Sequence, residues 1–335
     1  MATYLLVDTM NTFFRARHVV RGDAETKIGM AIHITLNAIN KCYRKFNADH
    51  VLFALEGRSW RKDFYTPYKK NRSDKRAAQS PSEQEEDALF FEAYDDFLKF
   101  IGERTNCSAM RCEIAEADDI IARFIALHPQ DTHIIVSSDT DFVQLISPTV
   151  HQYNGITNEL IKIDGVVNDE GKPVLDKKTG EQKVPAAPDY QLFKKCMRGD
   201  ATDNVFSAYP GVREKGSSKK VGLLEAYADK ETKGFAWNNL MLQRWTDHNG
   251  EEHRVLDEYE RNVTLVDLTA QPVEIRDYVD DIIREHSVAK NKPMVGAHFM
   301  KFCGKWDMQR VAENAQQFAE WLNANYKEDE HGVRG

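Results

Sequence analysis

Three short apolar runs, Tyr4–Val7, Val51–Leu55 and His133–Val136, punctuate the first half of the chain, and each gives way at once to polar or acidic positions: Asp8, Glu56, and Ser137-Ser138-Asp139. Runs of this length, rich in Val, Ile, Leu and aromatics, read as buried strands. Between them, Gly29–Phe46, Asp87–Ile101 and Ala117–Leu127 carry apolar residues at helical spacing. Strands alternating with helices predict an α/β fold, a parallel sheet covered by helices on both faces. In such sheets sites form at the carboxyl ends of the strands, which is where these acids fall.

Beyond Val150 the pattern changes. His151–Ile163 reads as short strands, and Asp164–Pro188 carries turn signals that predict an extended hairpin or flexible insertion. From Tyr190 onward helical spacing dominates, in Gln191–Arg198, Val221–Ala228, Glu258–Leu265, Val279–Ile283 and Met308–Tyr326. The reading divides the chain into an α/β core over 1–188 and a helical module over 189–330.

The 335 residues, 41% of them hydrophobic, suffice for a substantial core. No apolar stretch approaches the length of a membrane span and the N-terminus lacks a cleavable signal pattern, which predicts a cytoplasmic protein with no membrane partner. Five scattered cysteines, with no CxxC pair, argue against a disulfide framework and a thiolate zinc site. A formal charge of −8 at first disfavours a nucleic-acid binder. The charge is segregated, however: residues 57–79 hold eight Lys/Arg against two acids, and 83–96 hold seven acids and no base. A basic surface is therefore hidden in the net value, although a solvated loop followed by an acidic helix face would give the same numbers.

Nine acids mark the places where strand ends meet helix starts: Asp8, Glu56, Glu116, Asp118, Asp119, Asp139, Asp141, Asp200 and Asp203. Either Asp118 or Asp119 is a candidate bystander. Carboxylates converging without bases repel one another unless cations sit between them. Oxygen-only ligands favour Mg²⁺, with Mn²⁺ as a substitute, over zinc. Two such ions roughly 3.5–4 Å apart would clamp the attacking and leaving oxygens of a phosphodiester. Taken singly, each acid has a plainer explanation as a loop residue, an N-cap or a dipole complement. Their joint occurrence points to a two-metal phosphodiesterase.

The words LLVDTMN (Leu5–Asn11), WRKDFYTPYKKNR (Trp60–Arg72), EADDIIA (Glu116–Ala122), SSDTDFVQL (Ser137–Leu145) and MRGDATDNVFSAYPGV (Met197–Val212) resemble, in order, the 5′-nuclease family of flap endonucleases and 5′-3′ exonucleases, including phage RNase H-type and exonuclease-type members. The resemblance implies a PIN-like parallel or mixed sheet, a helical arch over about 57–100, and a helix–three-turn–helix in the C-terminal helical module. It places Asp8, Glu56, Glu116 and Asp118 around a first metal. Asp139, Asp141 and Asp203, with Asp200 nearby, fall around a second, and Asp118 or Asp119 bridges by water. It has Tyr68 stacking on a base near the scissile phosphate while Lys69 and Arg72 neutralise developing charge. Arg58, Arg61, Lys62, Lys70 and Arg76 join the basic arch. Gly211, Gly216 and Ser217 would let backbone amides approach duplex phosphates, with Arg213, Lys215, Lys219 and Lys220 supplying charge.

The substrate implied is branched, nicked or 5′-ended duplex DNA with a single-stranded 5′ flap, RNA/DNA hybrids included, cut by a monomer in replication. Two departures stand out. Glu56 replaces the family's usual Asp, and the turn PGVREKGSSKKVG lacks the tighter Gly-x-Gly repeat, which puts the family's K⁺ site in doubt. The rival readings are a PIN-type endoribonuclease and a DNA-structure-binding protein that has lost a metal ligand.

Overall fold

The computed structural model describes residues 1–19, 24–185, 187–217 and 220–327, with side chains of 16–25 excepted. Its central sheet has seven strands: β1 (Thr3–Asp8), β2 (His50–Leu55), β3 (Ser108–Arg111), β4 (Thr132–Val136), β5 (Val150–Asn154), β6 (Glu159–Lys162) and β7 (Gly165–Asn168), in the order β3-β2-β1-β4-β5-β6-β7. The first five are parallel; β6 pairs antiparallel with β5, and β7 pairs antiparallel with β6. The sheet is thus mixed and extended at one edge by β6 and β7. Beyond them a Leu175–Gln182 bridge closes the hairpin expected around Gly180.

Alternation along each strand sorts side chains to two faces. Leu5, Val7, Val51, Phe53, Ile134 and Val136 join one core with Phe13, Ile32, Phe97, Phe299 and Trp321 from helices. On the opposite face Tyr4 meets Phe124 of helix Ala117–Leu127 edge-on, ring centroids 5.1 Å apart. Strand β3 was not legible in the sequence. Its Ser-Ala-Met-Arg stretch has no β-branched residue, and at the sheet edge it pairs with β2 alone.

The chain forms two compact units. One comprises Met1–Arg58, Gln79–Pro185 and the described part of Val273–Gly335; the other comprises Ser59–Ala78 and Ala186–Pro272. This differs from a linear division near residue 188. Helices Val295–Lys305 and Ala315–Asn323 carry Phe299, Phe302, Phe318, Trp321 and Leu322 into the core beneath the sheet, so the segment from Val273 onward returns to the sheet unit. In the helical unit Phe193, Met197, Trp237, Leu240, Tyr259 and Leu265 form a separate core. No helix among the described residues is long and apolar enough to cross a membrane.

Candidate active site

Parallel register fixes the first acids. Asp8, the last residue of β1, lies opposite Ala54 on β2, and Val7 lies opposite Val136 on β4, so Asp8, Glu56 and Ser137–Asp139 leave the sheet along the same edge. The order β2-β1-β4 makes this the switch point of the sheet, where a crevice opens. Glu56 is steered by its neighbour. Gly57 N–H donates to Ala115 O (3.1 Å), and a Cβ at Gly57 would lie 1.8 Å from Cys112 O, so only glycine permits this approach. Glu56 Oε2 then accepts from the N–H of Ala117 at 3.3 Å, at the start of helix Ala117–Leu127.

Glu116 is the N-cap of that helix and is 5% exposed. Asp119 is fully buried and accepts the Glu116 N–H at 3.1 Å, a helix-capping bond. Of the adjacent pair, Asp119 has the structural duty and Asp118 is the half-buried one. Asp139 caps the short 3₁₀ turn Thr140–Leu145 by accepting Asp141 N–H at 2.9 Å.

Several polar residues that the sequence reading passed over hold this edge. Ser137 Oγ donates to Asp8 Oδ2 (2.8 Å), Asn11 N–H donates to Asp8 Oδ1 (3.2 Å), and Asn11 Oδ1 accepts from both N–H and Oγ of Ser138. Gln152 of β5 donates to the carbonyls of Ser137 and Asp139. The matching words SSDTD and TMN contained three of these residues; Gln152, in a strand without motif character, gave no signal. Tyr94, on helix Pro81–Arg104, is 2% exposed, and its hydroxyl has no hydrogen-bond partner. Its pKa is pushed up, first by burial and then by the charges of Glu56 and Asp8. An all-oxygen donor set beside an orphaned buried hydroxyl fits a hydrated hard cation such as Mg²⁺ or Mn²⁺.

Tyr68, Lys69, Arg72, Asp200 and Asp203 lie in the helical unit. Tyr68 Oη donates to Asp203 Oδ2 (3.2 Å), Lys69 Nζ lies 3.5 Å from the same oxygen, and Arg72 reaches Asp203 Oδ1 at 2.5 Å. Lys69 N–H also donates to Asp203 O (2.8 Å), with Lys69 held in the left-handed region at φ 54°. Asp200 pairs with Lys195 at 2.7 Å. Burial pushes its carboxyl pKa up, but the Lys195 bond and the amides of Thr202 and Asp203 outweigh this and hold it below the usual range. Gly199, at φ 74°, starts this turn; a Cβ there would lie 2.3 Å from Val205 O.

Three expectations need correction. Tyr68 is 4% exposed and packs in the helical core, so its ring offers no face to a base. Arg61 is 1% exposed. It stacks on Trp60 at 4.5 Å and donates from Nε to Leu265 O (3.0 Å) at the end of helix Val255–Val266, so it caps a helix instead of facing phosphate. The Gly216 N–H is spent on Glu225: it donates to both carboxylate oxygens (3.1 and 3.0 Å), and Gly222 N–H adds a third bond at 2.9 Å. Backbone N–H groups, its own first and then that of Gly216, hold the Glu225 pKa low. An internal carboxylate thus takes the place envisaged for a phosphate.

Arg58, Lys62, Lys70, Arg76, Gly211, Arg213, Lys215, Ser217 and Lys220 are exposed. Lys219 lies outside the described residues.

A family model described as 5′-3′ exonuclease, N-terminal resolvase-like domain, matches residues 3–171. DNA polymerase I of Rhizobium leguminosarum is 30% identical over 244 residues, covering 68% of this chain and 21% of that protein. Flap endonuclease Xni of Shewanella loihica is 30% identical over 168 residues, 49% of this chain and 60% of the relative. The chain therefore spans less than two thirds of either of these relatives. Among solved structures, T5 5′-exonuclease with divalent zinc ions bound superposes with a TM-score of 0.57 at 18% identity, over 84% of this chain and 98% of that one. A second T5 structure, co-crystallised with metal ions, gives 0.54 at the same identity and coverage. At that identity the likeness is one of fold. With half of its length matched by the family model, and the acids of the sheet edge inside the matched half, the chain belongs to the 5′-3′ exonuclease N-terminal, resolvase-like domain family.

Proposed function

We propose that this chain is a divalent-metal-dependent 5′ nuclease that hydrolyses phosphodiester bonds at or near the 5′ ends of DNA, flapped and nicked duplexes included. The observation that carries the reading is the set of carboxylates Asp8, Glu56, Asp139 and Asp141 past the carboxyl ends of parallel strands, with Glu116 and Asp118 at the start of the helix that Glu56 meets, in a chain of this family. These residues would hold Mg²⁺ or Mn²⁺, which supplies Lewis-acid polarisation of the scissile phosphate when bound. The protein's part is to present the carboxylates in fixed positions: Ser137 and Asn11 orient Asp8, Ala117 N–H orients Glu56, and Asp139 is tied to its own loop. The exposed cations Lys62, Lys70, Arg72 and Arg76 give the substrate backbone a sequence-independent attraction. Two ions acting together, removal of RNA primers and a role in replication form the finer version of this proposal.

The relatives' names suggest both flap and exonuclease action, and product length separates the two. The test is a 5′-labelled flapped duplex incubated with Mg²⁺, with Mn²⁺, and with chelator. Cleavage with either ion and none with chelator is the expected result. Mono- or dinucleotide products would mark an exonuclease and a released flap an endonuclease. Inactivity with both ions while the duplex is still bound would overturn the reading.

A further inference from the structure

One hydroxyl joins two acidic strand ends. Ser137, 1% exposed, gives its only Oγ proton to Asp8 Oδ2 (2.8 Å), and Ser137 Oγ in turn accepts the Asp139 N–H (3.1 Å). Asp8 belongs to β1, whereas Asp139 follows β4, so a displacement of either strand end is passed to the other through a single atom. Gln152, also 1% exposed, reinforces the link from β5. Its Nε2 group donates to Ser137 O (3.1 Å) and Asp139 O (2.5 Å), using both protons to grip the loop on either side of Ser138. The remaining Oε1 is buried without a partner.

We propose that Ser137 and Gln152 are positioning residues that set the spacing between the Asp8 and Asp139 carboxylates, and with it the chain's affinity for divalent cations. The proposal rests on the reading of this edge as the metal-holding edge of a 5′ nuclease. Residues that orient ligating carboxylates typically change metal affinity by about 10–100-fold when removed. Neither side chain needs to touch substrate for this effect.

The test is Mn²⁺ binding to the full chain by calorimetry, alongside the Mn²⁺ dependence of cleavage, for wild type, Ser137→Ala, Ser137→Thr and Gln152→Met. Ser137→Ala and Gln152→Met should each weaken Mn²⁺ binding by about 10–100-fold. The cleavage midpoint should move to higher Mn²⁺ by a similar factor, with affinity for flapped DNA in chelator unchanged. Ser137→Thr keeps the hydroxyl and should recover most of the loss. Gln152→Met removes the orphaned carbonyl with little change of volume, so it serves as the folded variant if Ser137→Ala is unstable. Wild-type Mn²⁺ affinity in both variants would overturn the proposal whether or not the protein cuts DNA. Failure of the wild type to cut, with Mn²⁺ binding still sensitive to both residues, would instead overturn the nuclease reading and leave the positioning role standing.

Discussion

Two neighbours in the basic tract have opposite fates. Arg61 and Lys62 look alike in the sequence, but one is 1% exposed and the other lies on the surface. Arg61→Ala removes a buried cation, exposes the Trp60 face and leaves Leu265 O without its bond. A loss of about 2–4 kcal/mol is expected, read as a lower denaturation midpoint. Lys62→Ala should change stability by less than about 0.5 kcal/mol. If Lys62 contacts phosphate, the slope of log affinity against log salt should fall by about 1, measured by duplex binding at several salt concentrations. Under the proposed function Asp139→Asn removes the charge of a ligand, so cleavage in Mg²⁺ should drop by more than the about 100-fold that losing a residue which only orients a ligand can cost, while the fold survives. An Asn variant cutting at the wild-type rate would show that Asp139 is not a ligand. Tyr68 shows the same hazard as Arg61. Its word matched the family's motif, but its ring is committed to a core.

Elements deliver acids to the edge through close backbone approaches. The pairing of Gly57 and Arg58 with Ala115 and Glu113 draws the end of β2 against the start of helix Ala117–Leu127. Gly57→Ala forces its Cβ into the Cys112 carbonyl, so that pairing must open and carry Glu56 away from Ala117 N–H. Weaker divalent-ion binding and lower stability should appear together in this variant. The same helix is held from outside by Arg123, whose Nε and Nη2 both bond Asp280 of helix Val273–His286 at 2.7 Å. Asp280 is 5% exposed, so Arg123→Ala would strand a buried carboxylate. A loss of about 3–5 kcal/mol is expected, checked by denaturant unfolding. The sequence announced both helices by their spacing, but a spacing does not name the partner of a face.

At the scale of the whole molecule, the sheet unit carries an acid-sensitive layer at the end opposite the carboxylates. His50 bonds Ser108 Oγ and the Ala324 carbonyl, and burial pulls its pKa down to about 4. His133, between Tyr4 and Phe124, has no bond on either ring nitrogen; burial and the neighbouring His128 pull it down to about 3. Both folded values lie below the ordinary 6.5, so the unfolded chain takes up these protons first as pH falls. Stability is therefore full above about pH 6.5 and falls toward pH 4, by up to about 1.4 kcal/mol per pH unit for each histidine. Denaturation midpoints at pH 7.5, 6 and 5 should decline in that order, and His133→Phe should flatten the decline.

The alternation of apolar runs with helical spacing was enough to read an α/β sheet with acids at its strand ends, because burial on two faces needs that pattern in any such fold. Motif order added the family. What the sequence left open was decided by contacts between residues far apart in the chain. Ser137 meets Asp8 across 129 positions, Arg61 meets Leu265 across 204, and the C-terminal helices return to the sheet. A carboxylate, an arginine or a tyrosine has the same letter whether it faces solvent or caps a buried helix. Only the packing around it, which balances desolvation against hydrogen bonds, determines which of those roles it takes.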